Sequence, residues 1–170
     1  MTLKVVADCA DICNFGGSPE AYDHKLDVLK QHCERVGRGF DEIEHSWTGD
    51  FIIAASKEAL KKKVQIIKPK HISLGDYVWA NIVGTPEVCL RKVEEYLGLG
   101  VTYFTLNGFS KIREPELELI AKTVMSSLRG YIPTTCTLLC TKVTLLVDAH
   151  LGVGTVYMLD FAEVYCDNRV

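Results

Sequence analysis

A short polar loop contains the first residues whose types and spacing suit ligand binding. Asn14 and Phe15 are followed by Gly16, Gly17 and Ser18, directly after an apolar segment. Two glycines let a backbone approach a ligand closely, and a helix beginning after Ser18 presents unpaired N–H groups to an anion. The pattern therefore predicts ligand contacts at Asn14, Gly16, Gly17 and Ser18. The same residues also suit an ordinary strand-to-helix turn with a capping serine, and both interpretations stay open.

Three further side chains suit recognition of a flat ring or an apolar substrate. Trp47 lies in a second strand-like region and Trp79 in a longer stretch without clear periodicity, so both indoles are predicted to line a rim where a ring can stack. Asn107 follows the last apolar segment, and its amide can hydrogen-bond a ring edge. Structural interpretations remain open for all three, because indoles also cover the edge of a fold and asparagine is common in turns.

The remaining reactive side chains form no recognisable catalytic or metal-binding pattern. Cys9 and Cys13 do not have the C-x-x-C spacing of zinc or redox pairs. His24 and His32 are about two helical turns apart, too far to share a metal. The sequence contains no Gly-x-Ser-x-Gly elbow, P-loop or Gly-x-Gly-x-x-Gly motif. The sequence therefore assigns no catalytic acid or base and no metal ligand.

The segment 84–106 has the pattern of a capped helix followed at once by a buried strand. Thr85 suits the N-cap, and Pro86 suits the first helical position, where its missing N–H costs nothing. Leu90 and Val93 then recur at helical spacing, and Gly98 marks the helix end. Such a unit is typical of parallel β/α folds.

Other segments predict further elements of the same kind. Capping residues, glycines and apolar periodicity indicate where each element begins and ends. In chain order we expect a helix over 2–9, a strand over 11–15, a helix from Ser18 to Gly37, a strand over 43–54 with a break at Gly49 left open, a short helix capped by Ser56, a long loop over 68–83, and a helix over 114–128.

The character of the sequence changes after residue 130. Threonine, valine and leucine dominate residues 131–170, and charged side chains are sparse. Two strands are predicted there, over 138–147 and 153–165. Two explanations of the change stay open: translation past a frameshift, and a genuine extension that makes oligomer contacts.

Three blocks of the sequence occur in a characteristic order. They are TLKVVADCADICN over 2–14, EAYDHKLDVL with HCERVGR over 20–38, and GTPE over 84–87. Together they resemble the bacterial luciferase-like flavin or deazaflavin oxidoreductases over roughly residues 2–129. The resemblance implies a TIM barrel that uses reduced FMN or coenzyme F420 to transfer a hydride or activate dioxygen on a small-molecule substrate. It also implies that the loop 16–18 lies near the cofactor phosphate or the substrate.

The length of the chain limits this expectation. A TIM barrel needs about 250 residues and eight β/α units, whereas this chain has 170 residues and three recognisable units. We therefore predict an α/β fold that is an incomplete TIM (β/α)8 barrel, with residues 1–130 as its C-terminal part and residues 131–170 as an unrelated β-rich tail. In the family, a glycine-rich loop before the first helix supplies N–H donors to the cofactor phosphate, and Met1 stands where that loop would end. The resemblance thus implies an oxidoreductase fragment that is weak or inactive alone.

A non-enzymatic function also stays open. Three parallel strands leave two unpaired edges and an uncovered apolar surface, which favours association. The alternative prediction is an interaction or oligomerisation module derived from the barrel, with homo-oligomer contacts through the exposed sheet edges.

Composition argues against several classes of partner and location. A net charge of −3 with no long block of like charge is not typical of nucleic-acid binding. The sequence has no apolar stretch of about 18 residues that would predict a membrane span. Seven irregularly spaced cysteines, without a basic and then apolar leader, predict the cytoplasm.

Overall fold

The computed structural model describes residues 2–107 and 114–128. These residues form a mixed α/β fold. In chain order its elements are α1 (Thr2–Cys9), β1 (Ile12–Phe15), α2 (Pro19–Val36), a 3-10 turn (Phe40–Glu42), β2 (Glu44–Ile53), α3 (Lys57–Ile67), α4 (Leu74–Ala80), β3 (Ile82–Gly84), α5 (Pro86–Gly98), β4 (Tyr103–Asn107), α6 (Glu114–Ile120), a π-helical turn (Ala121–Met125) and α7 (Ser126–Leu128).

The strands are parallel, and β2 is the common partner of the other three. Its residues 44–47 pair with β1, where Phe15 lies opposite Trp47. Its residues 46–50 pair with β4, where Phe104 lies opposite Trp47. The short β3 pairs with the C-terminal extension of β2, over residues 51–53. The continuous sheet therefore has the order β1–β2–β4, and β3 is a short addition to it.

Local sequence signals begin and end the helices as predicted. Ser18 is the N-cap of α2, and its Oγ accepts the Ala21 N–H at 3.2 Å. Gly37 ends the same helix in the left-handed conformation, with φ of 73°. Ser56 caps α3 in the same way, through the Ala59 N–H. Each serine satisfies an N–H that the first helical turn leaves without a partner.

The two faces of the sheet differ in polarity. Successive side chains of a strand point to opposite faces. Cys13, Trp47 and Phe104 point to an outer face, where they join buried residues of the helices. Asn14 and Ser46, one position away from these residues, belong to the inner face. Over residues 44–50 of β2, the sheet therefore has an apolar outer face and an inner face with polar side chains. Farther along the inner face, Ile52 joins Val64 of α3 and Tyr77 of α4 in a separate apolar cluster.

Aromatic rings fill the space between the outer face and helices α2 and α5. The ring of Trp47 lies 5.2 Å from that of Tyr96 and 6.1 Å from that of Phe104, measured between centroids. Tyr22 meets Tyr96 edge-on at 5.9 Å. Pairs of this kind add about 0.5–1.5 kcal/mol each beyond the burial of their surface. This cluster fixes both helices against the centre of the sheet.

Two local predictions need correction, and one point that the sequence left open is decided by the structure. The segment 68–83 is not a loop, because α4 and β3 occupy most of it; Ser73 caps α4 by accepting the Asp76 N–H at 3.1 Å. Strand β2 is continuous through the glycine where a break was left open. Thr85 stands at the N-cap of α5, but its side chain makes no capping hydrogen bond.

The predicted tail strands and the domain boundary at residue 130 lie outside the described residues. Within the described ranges, no helix combines the length and apolar character needed to cross a membrane.

Gly49 has no side chain at the point where the Trp47 indole packs. Adding a methyl group there is therefore expected to destabilise the fold. A Cβ at position 49 would lie 2.5 Å from Trp47 Cη2 and 3.1 Å from Asn81 Oδ1. Because both neighbours are packed, Gly49→Ala is expected to lower the free energy of unfolding by about 1–3 kcal/mol in urea denaturation. Gly98→Ala is the matched control, since a Cβ there meets nothing within 4 Å. Equal effects of the two substitutions would show that this close packing is not needed.

The burial of His45 predicts how the stability of the fold depends on pH. Its ring packs on Phe40 at 4.7 Å, and its buried Nε2 has no hydrogen-bond partner among the described residues. Burial lowers the pKa of His45 from its ordinary value of 6.5. The unfolded chain therefore binds the proton more tightly, so stability is expected to be fully present above about pH 6.5 and to fall as the pH drops below it.

The test is urea unfolding at about pH 7.5 and about pH 5.5, on either side of the ordinary histidine pKa. His45→Gln should show a smaller loss of stability on acidification than the wild type. His24→Gln, at an exposed position on α2, is the control. An unchanged pH dependence in His45→Gln would contradict the assignment.

Candidate functional site

Polar side chains gather on the inner face at the C-terminal ends of β1 and β4 and along residues 46–50 of β2. In register, Asn14 lies opposite Ser46 and Asn107 opposite Asp50. Ser46 Oγ donates to Asn14 Oδ1 at 3.1 Å, and Asn107 Nδ2 donates to Thr48 Oγ1 at 3.4 Å. Parallel β/α folds bind ligands at this end of their strands. We term Asn14, Ser46, Thr48, Asp50 and Asn107 the strand-end cluster.

Two residues from the following helix region orient Asp50. The Tyr77 hydroxyl donates to Asp50 Oδ2 in a short hydrogen bond. The Asp50 N–H donates to Asn81 Oδ1 at 2.8 Å, and Asn81 Nδ2 donates to the Tyr77 carbonyl at 2.9 Å. Burial, followed by the hydrogen bond to Asp50, raises the pKa of Tyr77 well above its ordinary value. The hydroxyl therefore stays protonated and holds the carboxylate in place.

Lys92 on α5 fixes the end of α4 that carries these residues. Its Nζ donates to the carbonyls of Val78, Trp79 and Asn81, at 2.9, 2.9 and 2.7 Å. A cation at a helix C-terminus satisfies carbonyls that have no partner within the helix. Burial lowers the pKa of Lys92. The Lys92 side chain is half-buried and links α5 to α4.

The Gly16–Gly17 loop is held by side chains from three different elements. Trp47 Nε1 and the Tyr96 hydroxyl both donate to the Gly17 carbonyl, at 3.1 and 2.6 Å. Lys25 Nζ donates to the Gly16 carbonyl at 2.5 Å. Gly17 has a φ of 116°, a conformation that favours glycine. The loop is thus a rigid link between β1, the core and α2.

The N-terminus of α2 already faces a carboxylate of the chain itself. Glu20 lies in the first turn, and a hydrogen bond with the Ser18 side chain, followed by one with its own backbone, lowers the pKa of Glu20. A negative side chain in this place uses the favourable end of the helix dipole. It also disfavours a second anion at the same helix end.

The structure separates the predicted site residues. Asn14 and Asn107 lie together in the strand-end cluster, and Gly16, Gly17 and Ser18 form the loop that follows Asn14. Trp47 is completely buried on the outer face, so its ring has no surface for a ligand. Trp79 lies on α4 and is 54% exposed, away from the polar side chains of the cluster.

Trp79 lines an open groove of ≈ 630 Å³ between α4 and α5. Apolar side chains from both helices and from β3 form most of its wall. We term this the α4–α5 groove and define it by Leu74, Val78, Trp79, Val83, Val88, Arg91 and Glu95.

Sequence reasoning missed three members of the cluster and the hydrogen bond by which Tyr77 orients one of them. Ser46, Thr48 and Asp50 recur with the period of two that places side chains on one face of a strand. That alternation was a usable signal. The contact between Tyr77 and Asp50 had no such signal, because it joins residues 27 positions apart.

Solved structures share this fold. The coenzyme F420 dependent tetrahydromethanopterin reductase from Methanopyrus kandleri matches with a TM-score of 0.56 and 16% identity, over 74% of this chain and 47% of its own. The long-chain alkane monooxygenase LadA matches with a TM-score of 0.56 and 15% identity, over 76% and 38%. The EDTA monooxygenase EmoA from Chelativorans sp. BNC1 matches with a TM-score of 0.55 and 13% identity, over 76% and 44%.

These matches confirm the predicted resemblance to luciferase-like oxidoreductases at the level of the fold. The described residues have the architecture of part of a TIM barrel, with a parallel sheet and helices packed against it. The chain spans less than half the length of each of the three solved structures. No family model and no curated protein sequence matches it.

The hydrogen bond from the Tyr96 hydroxyl to the Gly17 carbonyl is expected to contribute to stability. Tyr96→Phe keeps the buried ring and removes one of the two donors to this carbonyl. Trp47 remains as the second donor, so the free energy of unfolding should fall by about 1 kcal/mol, as for one ordinary hydrogen bond. Tyr103→Phe, on the half-exposed tyrosine of β4, is the control for urea denaturation. The assignment would be untenable if the control lost as much stability as Tyr96→Phe.

Proposed function

We propose that the described residues form one side of the ligand site of a luciferase-like oxidoreductase that works with reduced FMN or coenzyme F420. The observation that carries this proposal is the strand-end cluster, five polar side chains on one face of three parallel strands, at the C-terminal ends of β1 and β4 and along β2 between them. The fold supports redox chemistry, because the three matched structures are an F420-dependent reductase and two monooxygenases.

The chemistry of the cluster suits the ring edge and the hydroxylated chain of such a cofactor. Asn14 and Asn107 offer amide groups that both donate and accept, and the Asp50 carboxylate accepts from a hydroxyl. The phosphate is a poorer fit, because Glu20 already faces the N-terminus of α2. A contact of Gly16, Gly17 or Ser18 with a phosphate stays a prediction.

In this proposal, the bound cofactor supplies the hydride transfer or dioxygen activation, and the chain orients it. Tyr77 and Asn81 act as positioning residues, because they hold the side chain and the backbone of Asp50. The rigid Gly16–Gly17 loop keeps Asn14 in register beside Ser46. The substrate would be a small molecule lying between the ring and the inner face.

We further propose that this chain alone binds the cofactor weakly and does not turn over. The described residues contribute four strands to the sheet, whereas a TIM barrel has eight. The described residues can therefore contact only part of a ligand held across the mouth of a full barrel. The same proposal places the chain in the cytoplasm, which its four free thiols among the described residues support.

The test is titration of the purified chain with FMN and with coenzyme F420, followed by cofactor fluorescence. Weak saturable binding is expected, with a dissociation constant between about 10 μM and about 1 mM, and no NADH-linked turnover. Asn107→Ala should weaken binding by about two- to tenfold, the value of one hydrogen bond. Thr102→Ala is the matched control, because Thr102 lies beyond the opposite end of β4 and bonds Glu44 at 3.0 Å.

Each outcome addresses a separate part of the proposal. Absence of saturable binding for both cofactors would reject the oxidoreductase function for this chain. Tight binding with turnover would contradict the proposal that this chain alone is inactive. If Asn107→Ala and Thr102→Ala weakened binding equally, the cofactor would not bind at the strand-end cluster.

The second candidate function is an interaction module, and the sheet edges favour it. Within the described residues, β1 and β4 each pair with β2 alone, so each has an edge without a strand partner. Unpaired edges are templates for strand addition. We propose these edges as the association surface if the chain is not an enzyme. A cooperative, monomeric chain in light scattering would count against this function.

A further inference from the structure

The strand-end cluster contains one carboxylate, and no described cation pairs with it. Asp50 is half-buried, and Oδ2 of its side chain accepts a hydrogen bond from the Tyr77 hydroxyl. None of the ion pairs within residues 2–107 and 114–128 includes Asp50. A carboxylate has room for about four hydrogen bonds on its two oxygens. Most of the acceptor capacity of Asp50, including Oδ1, is therefore left unused by the described residues.

The half-buried lysines of the neighbouring helices bind other groups. Lys25 on α2 and Lys63 on α3 donate to backbone carbonyls, at 2.5 and 2.8 Å. Lys92 on α5 donates to three carbonyls at the end of α4, and the carboxylates whose charges act on it are Glu95 and Glu20. The part of the chain that the structure describes therefore leaves the negative charge of Asp50 without a partner.

The hydrogen bond from Tyr77 does not by itself explain a carboxylate at position 50. A hydroxyl donor needs one acceptor oxygen, which the neutral amide of an asparagine also supplies. A carboxylate that is partly removed from water without a cation costs free energy that a neutral side chain avoids. A positively charged group on the ligand would offset this cost.

Asn107 places a second acceptor beside the carboxylate. It lies opposite Asp50 in the register of β4 and β2, so the two side chains leave the sheet on the same face, about 4.8 Å apart. Asn107 Nδ2 donates to Thr48 Oγ1, and its Oδ1 accepts no hydrogen bond from another described residue. Two neighbouring acceptors, one of them charged, suit a single cationic group with several N–H donors, such as a primary ammonium.

We propose that Asp50 determines the specificity of the strand-end cluster by binding a protonated amine on the small-molecule ligand. The ammonium group donates to Asp50 Oδ1 and to Asn107 Oδ1, while Tyr77 keeps the carboxylate in place. This inference rests on the proposed function, in which the amine is the substrate of the oxidoreductase. A cofactor hydroxyl can share the carboxylate, because its acceptor capacity exceeds these bonds. An anionic substrate is disfavoured by repulsion.

The first test compares three probes that have the same alkyl chain and different charges. The full chain is titrated with n-butylammonium, n-butanol and butyrate, and the backbone amide signals are followed by NMR. Only n-butylammonium should produce saturable shifts at Asp50 and Asn107, with a dissociation constant of about 1 mM, as expected for a small ligand with few contacts. This comparison uses the unaltered chain, so it does not depend on the folding of a variant.

The second test removes the charge and keeps the shape of the side chain. Asp50→Asn retains an acceptor for the Tyr77 hydroxyl, and it should weaken n-butylammonium binding by about tenfold, as for the loss of one charge-assisted hydrogen bond. Asp23→Asn is the matched control, because it removes the same charge at an exposed position on α2. The control should bind n-butylammonium as the wild type does, and the amide spectrum of each variant records its folding.

Three results would overturn the inference: no saturable binding of n-butylammonium, equal binding of n-butylammonium and butyrate, or equal effects of Asp50→Asn and Asp23→Asn. The titrations with FMN and coenzyme F420 test the proposed function separately. Cofactor binding without selectivity for the ammonium probe would reject the amine and leave the oxidoreductase function. Selective ammonium binding at Asp50 without cofactor binding would support the amine site and reject the redox function.

Discussion

The buried indole of Trp47 is the constraint on which the rest of the described structure depends. It has no exposed surface, and its ring packs against Tyr96 and Phe104 while its N–H donates to the Gly17 carbonyl. A buried indole needs a partner for its single donor, since an unmet hydrogen bond in the core is costly. One side chain thus joins the central strand, the helix α5 and the loop after β1.

Strand β2 separates the apolar core from the polar strand-end cluster by the alternation of its side chains. Trp47 lies on the outer face within the aromatic core, while the adjacent Ser46 and Thr48 lie on the inner face with the polar cluster. The position of the polar groups is therefore set by the packing of residues on the opposite face of the sheet. Preorganised groups on a rigid sheet are what binding of an extended ring requires.

Helix α4 extends this rigid frame past the end of the sheet. Lys92 binds the carbonyls at its C-terminal end, and Asn81 joins its last turn to the backbone of Asp50. The cost of burying the ammonium group is offset by three hydrogen bonds to carbonyl oxygens, which are the strong, charge-assisted kind. The same helix carries Trp79 on its other side. Helix α4 therefore contacts the strand-end cluster with one side and lines the α4–α5 groove with the other.

The elements with local signals were predicted well. A capping serine before proline begins α2, Gly37 ends it, and Ser56 begins α3, because these contacts involve residues within a few positions of each other. Helix α4 was missed although Ser73 and Asp76 form a cap, because seven residues are too few for a clear apolar period. Asn14 and Asn107 were predicted as ligand contacts and lie in the cluster, whereas Trp47 and Trp79 lie elsewhere.

The sequence by itself determined the alternation of helices and strands, the capped helix ends and the kinship in fold with luciferase-like proteins. Only the tertiary structure decided that β4, and not β3, lies beside the first half of β2, since strand order depends on pairings between residues far apart in the chain. It alone placed Trp47 in the core and Asp50 against Tyr77. Periodicity shows which residues share a face, but the packing of distant segments decides what that face meets.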